Sequence, residues 1–180
     1  SLAAAHRPLL WLGHGIRLAG ATDLVDPLLD RLGIPALVSW AGKDLTAHPL
    51  VYGSAGIYGS KTANALLMEA DFVLAIGTRL AIPQVGYDPD LIPAEGVIVD
   101  IDSAEATKYA PHFDALVMDA GDFIRELLAG AWRGSDWGPR YPLDTLVENY
   151  RYAEDYLSPY VFLRRLEEHL KPDQIIVTDS

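Results

Sequence analysis

The segment 59–79 constrains the fold of this chain more than any other part of the sequence. A short polar turn precedes a predicted helix over 61–70, with Ser60 as its predicted N-cap. The helix leads into the apolar run 72–76, which is typical of a strand buried on both faces. That strand ends in a glycine, a threonine and Arg79, a small turn that carries a cation. A helix that leads into a wholly apolar strand is typical of α/β proteins.

Further apolar runs alternate with helical patterns on either side of this segment. The predicted strands lie at 9–13, 36–38, 97–101 and 115–118. The predicted helices lie at 22–32, 61–70 and 121–129, and Asp102-Ser-Ala-Glu105 is predicted to open a further short helix. This alternation predicts a parallel sheet. Two long stretches, 40–59 and 77–96, are predicted as loops, and loops of this length in a compact domain tend to be functional.

The pattern changes after residue 130. Glycine, proline and tryptophan interrupt the periodicity, which predicts a linker. Ser158-Pro159 is a typical helix start, and 174–178 is predicted as a strand. Because the chain also lacks a starting methionine, we interpret it as a fragment of a longer protein. The predicted divisions are a domain over 1–130, a linker over 131–157 and a truncated second α/β domain over 158–180.

Composition excludes several classes of function. The formal net charge is −11 and no basic run occurs, so nucleic acid is not an expected partner. No apolar run reaches the roughly 18 residues needed to cross a bilayer, so no membrane association is expected. The chain has no cysteine, and its five histidines are scattered, so neither a disulfide nor a metal site is predicted. We expect a cytoplasmic protein.

Two glycines follow the first predicted strand. Gly13 and Gly15 could let a phosphate approach the backbone amides, or could simply form a tight turn. Position 18 is Leu18 rather than a third glycine, and no acidic residue ends the second strand. A plain NAD site is therefore not predicted.

Acidic residues follow two later strands. Asp100 and Asp102 flank Ile101 where open α/β sheets bind ligands, and a carboxylate there can accept both hydroxyls of a ribose. Alternatively, Asp102 or Ser103 caps the following helix. Because Asp119 ends the next strand, the three carboxylates could border one crevice.

A cation and a set of glycines lie in the two long loops. Arg79 could bind a phosphate or carboxylate, or could pair with Asp88 or Asp90. Glycines recur at every third residue over 53–59, with Gly56 in the middle. They could let the backbone approach a ligand closely, or could serve the loop conformation alone.

In order and spacing, these motifs resemble the central domain of thiamine diphosphate-dependent enzymes of the acetolactate synthase type. The resemblance runs from Arg7 to about Leu128. It is carried by 7–15, Leu32-Gly-Ile-Pro35, Gly42-Lys-Asp-Leu, His48-Pro-Leu50, 53–59, Ala63-Asn64, Glu69-Ala-Asp71, Ile76-Gly-Thr-Arg79 and Val99-Asp-Ile-Asp102. The stretch 158–180 resembles the start of the diphosphate-binding domain of the same enzymes.

The resemblance implies a Rossmann-like sheet of six parallel strands with helices on both faces. It also implies a parent enzyme that decarboxylates a 2-keto acid and passes a two-carbon carbanion equivalent to an acceptor. In such enzymes a glutamate of the first domain and a Gly-Asp-Gly motif of the third serve thiamine diphosphate and magnesium. Neither motif occurs in this sequence, so other domains and identical subunits are expected partners, and this chain alone is expected to be inactive.

The resemblance further implies a nucleotide site, since some members hold FAD, some hold ADP and some hold neither. The matching positions are Gly13, Gly15, Gly56, Arg79, Asp100, Ile101 and Asp119. FAD-binding synthases continue after the arginine with an aromatic residue and an Asp-Asp-Arg run, whereas here Leu80 to Tyr87 follow. That continuation resembles synthase-like proteins of unassigned or sugar-pathway role.

Two other roles fit the same residues. The chain could be a stand-alone nucleotide-binding or regulatory module that binds FAD, ADP or NAD without catalysis. It could also be a purely structural module, with the aromatic segment 132–160 packed on partner domains.

Overall fold

The computed structural model describes residues 1–86, 95–110, 112–138 and 158–177. The chain divides into two compact units, Ser1–Pro139 and Arg140–Ser180. Within the described residues, the first unit holds a parallel sheet of five strands in the order β2-β1-β3-β4-β5. The strands are β1 (Pro8–Leu12), β2 (Ala36–Val38), β3 (Phe72–Ile76), β4 (Gly96–Asp100) and β5 (Asp114–Val117). All five were predicted from the sequence.

In the described part of the first unit, six helices connect or flank these strands. They are α1 (Gly15–Leu18), α2 (Val25–Leu32), α3 (Lys61–Glu69), α4 (Ile82–Val85), α5 (Ser103–Thr107) and α6 (Ala120–Ala129), with shorter 3-10 turns at Leu2–Ala4, Thr22–Leu24 and Trp40–Gly42. The sequence did not predict α1 or α4, and α4 lies in the segment 77–96 that was predicted as a loop. A helix of one turn is too short to show a repeating apolar face.

Both faces of the sheet are covered, as the fold prediction required. Along β1 the side chains alternate between the faces, because successive residues of a strand point to opposite sides. Leu10 and Leu12 belong to the core packed by α2 and α6, whereas Leu9 and Trp11 belong to the core packed by α3. All four are fully buried.

The described residues form five strands rather than the six implied by the resemblance, with one further parallel bridge between Val51 and Ala36. Ala36 N donates a hydrogen bond of 2.8 Å to Leu50 O, and Tyr52 N donates one of 2.9 Å to Ala36 O. Gly53 then adopts a φ of +98°, outside the extended region, so the pairing cannot continue as a regular strand. This bridge therefore extends the sheet beyond β2 without forming a full strand.

Residues 131–138 belong to the first unit and pack on its core. Trp132 packs against the α2 and α6 core, and Trp137 packs against the α3 core. Trp137 Nε1 donates a hydrogen bond of 2.7 Å to Pro8 O. These two tryptophans therefore pack on their own domain rather than on a partner domain. The remainder of the predicted linker, over 139–157, lies outside the described residues.

The second unit contains α7 (Pro159–Glu167), which begins as predicted. Val161 N donates a hydrogen bond of 3.4 Å to Ser158 Oγ, so the serine is the N-cap. The prediction of a strand at 174–178 was wrong over 174–177, which form no strand. Residue 178 lies outside the described residues. A parallel strand exists only through hydrogen bonds to a neighbouring strand, and the described part of this unit offers none.

Candidate functional site

A cleft of about 700 Å³ lies at the edge of the sheet where the strands end. Residues that follow each described strand contribute to its wall, because the carboxyl ends of parallel strands meet at one edge. The predicted ligand residues that line the cleft are Gly15, Arg79, Asp100, Ile101 and Asp119. Gly13 and Gly56, the other two predicted positions, are not among its lining residues.

The two glycines after β1 are explained by contact between backbones. A Cβ at Gly13 would lie 2.0 Å from Gly77 O, and a Cβ at Gly15 would lie 2.7 Å from Gly77 Cα. Their amides are also engaged, since Gly13 N donates to Ile76 O and Gly15 N donates to Gly77 O, both at 2.9 Å. These amides hold the end of β1 against the end of β3 and are not free to bind a phosphate.

Gly56 lies one layer behind the cleft wall. Its φ is +107°, and a Cβ there would lie 2.1 Å from Pro83 O in α4. The side-chain amide of Asn64 clamps this glycine, accepting from Gly56 N at 2.7 Å and donating to Gly56 O at 3.1 Å. Because Pro83 and Gln84 line the cleft, Gly56 supports the α4 part of its wall.

The three aspartates predicted to share a crevice do line the same cleft. Each carboxylate uses Oδ1 locally. Asp100 accepts from Asp102 N at 3.0 Å, Asp102 caps α5 by accepting from Ala104 N at 2.8 Å, and Asp119 caps α6 by accepting from Gly121 N at 2.9 Å. The predicted capping role of Asp102 is thus confirmed. Among the described residues, no donor occupies the second oxygen of any of the three carboxylates.

We expect Asp119→Ala to destabilise the protein by about 1 kcal/mol, the usual cost of losing a helix N-cap. Asp119 Oδ1 also accepts from Asp122 N at 3.1 Å, so alanine leaves two amide groups without their acceptor. Urea unfolding followed by circular dichroism measures the loss. Asp119→Asn keeps an oxygen in the same place and should cost less; equal losses for both variants would contradict the capping role.

Arg79 is held by a carboxylate that the sequence analysis did not pair with it. Its Nε and Nη2 contact Glu105 Oε1 at 2.8 and 2.6 Å, and Lys108 Nζ contacts Glu105 Oε2 at 2.8 Å. The predicted alternatives, Asp88 and Asp90, lie outside the described residues. Two hydrogen bonds lower the pKa of Glu105, and the one from Lys108 has a larger effect than the one from Arg79. Glu105 in turn raises the pKa of Arg79.

The backbone beside Arg79 is strained. Leu80 is fully buried and has a φ of +42°, a region that costs a non-glycine residue about 1–2 kcal/mol. Two side chains from beyond α5 hold this turn: Tyr109 Oη donates to Leu80 O at 2.6 Å, and Lys108 Nζ donates to Arg79 O. Burial, with a smaller effect of Glu105, raises the pKa of Tyr109. The position of Arg79 therefore depends on α5.

The pairing of Glu105 predicts a pH dependence. Near pH 7 we expect Glu105→Gln to destabilise the protein by about 0.5–1 kcal/mol, a small effect because the Arg79 side chain is 77% exposed and its charge is screened. The folded-state pKa of Glu105 is lowered, so its contribution is present above the unfolded pKa, about 4.3, and is lost as pH falls through the folded pKa.

Urea unfolding of both proteins between pH 7 and pH 3 measures this difference. It should stay constant down to about pH 4.3 and then decrease. Glu126→Gln, an exposed glutamate of α6 outside the cleft wall, is the matched control and should show no such change. A difference that grows as pH falls would contradict the assignment.

The rest of the wall is mostly apolar. Leu18, Trp40 and Ile101 line the cleft although they are 79%, 51% and 72% exposed. The Trp40 ring lies 5.1 Å from the Tyr58 ring, centroid to centroid. Two polar groups of the wall have no partner among the described residues, the buried hydroxyl of Thr78 and the Nε2 of Gln84. The cleft thus combines apolar surface with unused donors and acceptors.

Among the described residues, no group of three or more His, Asp or Glu side chains is arranged to hold a metal ion. No described helix is both long enough and apolar enough to span a membrane.

Comparison with known proteins identifies the relatives of this chain. Residues 1–127 match the family model described as the central domain of thiamine pyrophosphate enzymes. The sulfoacetaldehyde acetyltransferase of Castellaniella defragrans is 31% identical, covering 99% of this chain and 36% of that protein. The acetolactate synthase large subunit of Lactococcus lactis is 26% identical, covering 99% of this chain and 32% of that protein.

A solved structure from Mycobacterium smegmatis, described as a candidate thiamin diphosphate-dependent enzyme, superposes with a TM-score of 0.58. It is 24% identical and covers 78% of this chain and 27% of that chain, which confirms the Rossmann-like α/β fold. The chain spans about a third of the length of the curated relatives named above. The match over residues 1–127 decides the assignment: the chain belongs to the thiamine pyrophosphate enzyme family and carries its central domain.

Proposed function

We propose that the whole protein is a thiamine diphosphate-dependent enzyme that decarboxylates a 2-keto acid and passes the resulting two-carbon unit to an acceptor. The observation that carries this proposal is similarity over 99% of the chain both to a sulfoacetaldehyde acetyltransferase and to an acetolactate synthase. Bound thiamine diphosphate would supply the carbanion chemistry. The residues that the resemblance assigns to it and to magnesium belong to other domains of such enzymes, so the described residues of this chain contribute the scaffold and the cleft.

The test is turnover by the whole protein with thiamine diphosphate and magnesium. We expect release of carbon dioxide from pyruvate that depends on thiamine diphosphate, with a second pyruvate as one acceptor to be tried. Consumption of sulfoacetaldehyde in a parallel reaction would identify an acetyltransferase instead. The 180-residue chain by itself should show neither reaction. A whole protein that binds thiamine diphosphate yet releases no carbon dioxide from pyruvate or another 2-keto acid would refute the proposal.

We further propose that the cleft at the carboxyl edge of the sheet holds a ribose-bearing ligand of the nucleotide class, such as ADP or FAD. Its support is the convergence of Asp100, Asp102 and Asp119 on one cleft, each with a carboxylate oxygen unused among the described residues. Carboxylates at this edge are suited to accept hydrogen bonds from ribose hydroxyls. Calorimetric titration of the whole protein with ADP, FAD and NAD tests this, and an absence of heat with all three would count against a nucleotide.

The same titration separates two alternatives. A stand-alone binding module would bind a nucleotide while the whole protein showed no turnover of either substrate class. A purely structural domain would bind no nucleotide while turnover was normal.

A further inference from the structure

We propose that the cleft recognises an uncharged, hydroxyl-bearing aromatic group, of which a nucleoside is the simplest form, and that Glu105 keeps a phosphate away from Arg79. This inference rests on the proposed ligand site, which it narrows to one part of the ligand. It comes from three features of the wall: its charge, the occupation of its anion-binding groups, and the donors and acceptors that it leaves unused.

The charge of the wall is unfavourable for a phosphate. Asp100, Asp102, Glu105 and Asp119 all line the cleft, whereas Arg79 is the one lysine or arginine among its described lining residues. Both contacting nitrogens of Arg79 already lie within 2.8 Å of Glu105 Oε1. A phosphate that enters must displace Glu105 from Arg79 or remain next to several like charges, and like-charge contacts oppose binding.

The backbone groups that usually bind phosphates at this edge are also occupied. The amides of Gly13 and Gly15 donate to carbonyl oxygens of the β3 end. At the start of α6, the amides of Gly121 and Asp122 donate to the carboxylate of Asp119. The helix end that could attract a phosphate through its dipole therefore already carries a negative cap.

The groups that remain unused match a nucleoside. The second oxygens of Asp100, Asp102 and Asp119 can accept hydrogen bonds from hydroxyl groups of a sugar. Gln84 Oε1 accepts from Ala81 N at 3.2 Å, and its buried Nε2, a donor, has no partner among the described residues. Thr78 is 3% exposed, and its hydroxyl has no partner among the described residues.

The apolar part of the wall provides a surface for a ring. Trp40 is half exposed at the cleft. Lys43 follows the Trp40–Gly42 turn, and its Nζ lies 5.4 Å from the centre of the Trp40 ring. Leu18 and Ile101 are more exposed than large apolar side chains usually are. An aromatic ring that covers these side chains would remove apolar surface from water without adding charge to an acidic cleft.

The direct test compares adenosine with ADP on the whole protein, already saturated with thiamine diphosphate, at constant magnesium concentration. Calorimetry should show that adenosine binds at least as tightly as ADP. Tenfold tighter binding of ADP would overturn this inference while supporting the broader nucleotide site. Binding of neither ligand would overturn both, whereas the turnover assay judges the proposed enzyme activity separately.

Two variants test the roles of the carboxylates. Glu105→Gln removes the charge that holds Arg79. ADP should then bind about two- to fivefold more tightly, which is the effect of one exposed ion pair, and the affinity for adenosine should not change. Asp100→Asn keeps an oxygen that accepts from Asp102 N, and it should weaken the binding of adenosine about three- to tenfold. Glu126→Gln removes the same charge away from the cleft wall and should change neither affinity. Equal effects of Glu105→Gln on both ligands, or none on either, would contradict the inference.

Discussion

Replacing Gly13 with alanine is expected to destabilise the protein by more than about 3 kcal/mol, or to prevent folding altogether. The added Cβ would lie 2.0 Å from Gly77 O and 2.5 Å from Thr78 Cα, which are backbone atoms of the adjoining strand end. Neither backbone can withdraw, because Gly13 N is hydrogen-bonded to Ile76 O at 2.9 Å. The loss is measured by urea unfolding under circular dichroism, or as loss of soluble protein.

Gly20→Ala is the matched control for this variant. Gly20 has a positive φ of +65°, and a Cβ there would meet nothing within 4 Å. Its expected cost is the conformational cost alone, about 1–2 kcal/mol. If Gly13→Ala costs no more than Gly20→Ala, the close approach of the two strand ends is not what requires a glycine.

Replacing Trp11 with alanine is expected to cost about 3–5 kcal/mol, the range for a large aromatic side chain removed from a core. Trp11 is fully buried in the middle of the sheet, in the core that α3 covers. Trp11→Phe should cost clearly less than this. The buried Nε1 of Trp11 has no hydrogen-bond partner among the described residues, so phenylalanine removes an unsatisfied donor along with part of the ring.

Circular dichroism is the measurement here too, because the substitution itself alters tryptophan fluorescence. Equal destabilisation by the two variants would mean that the indole donor finds a partner or that the core cannot adjust around the smaller ring. Leu37→Ala, which removes a fully buried side chain of the same core, provides a reference of about 2–5 kcal/mol for simple loss of packing.

The regular elements were predictable because each has a local signature. The run 72–76 is apolar throughout because β3 is buried on both faces, and Gly33 ends α2 because it adopts a φ of +64°. Capping is local as well: the acceptor on Asp102 lies two residues from the amide that it caps. Interactions between residues so close along the chain can be predicted from the local sequence alone.

The contacts that define the cleft were less predictable because they join distant parts of the chain. Arg79 and Glu105 are 26 residues apart, so no pattern of neighbouring residues indicates that they pair. Glu105 also binds Lys108 at the local i,i+3 spacing, a pair that the sequence analysis did not propose. The glycines at 13 and 15 fitted either a phosphate turn or a tight turn. The cause, the approach of Gly77 from another strand, has no signature near them.

By itself, the sequence determined the α/β class, the strands in their order along the chain, the family resemblance and the acidic residues at the strand ends. These follow from periodicity, capping and motif spacing, all of which act over short stretches of chain. Only the tertiary structure decided which of those groups remain free. The glycine amides and the Arg79 guanidinium are occupied by residues brought close through packing, whereas the carboxylates of Asp100, Asp102 and Asp119 each keep an oxygen unused among the described residues.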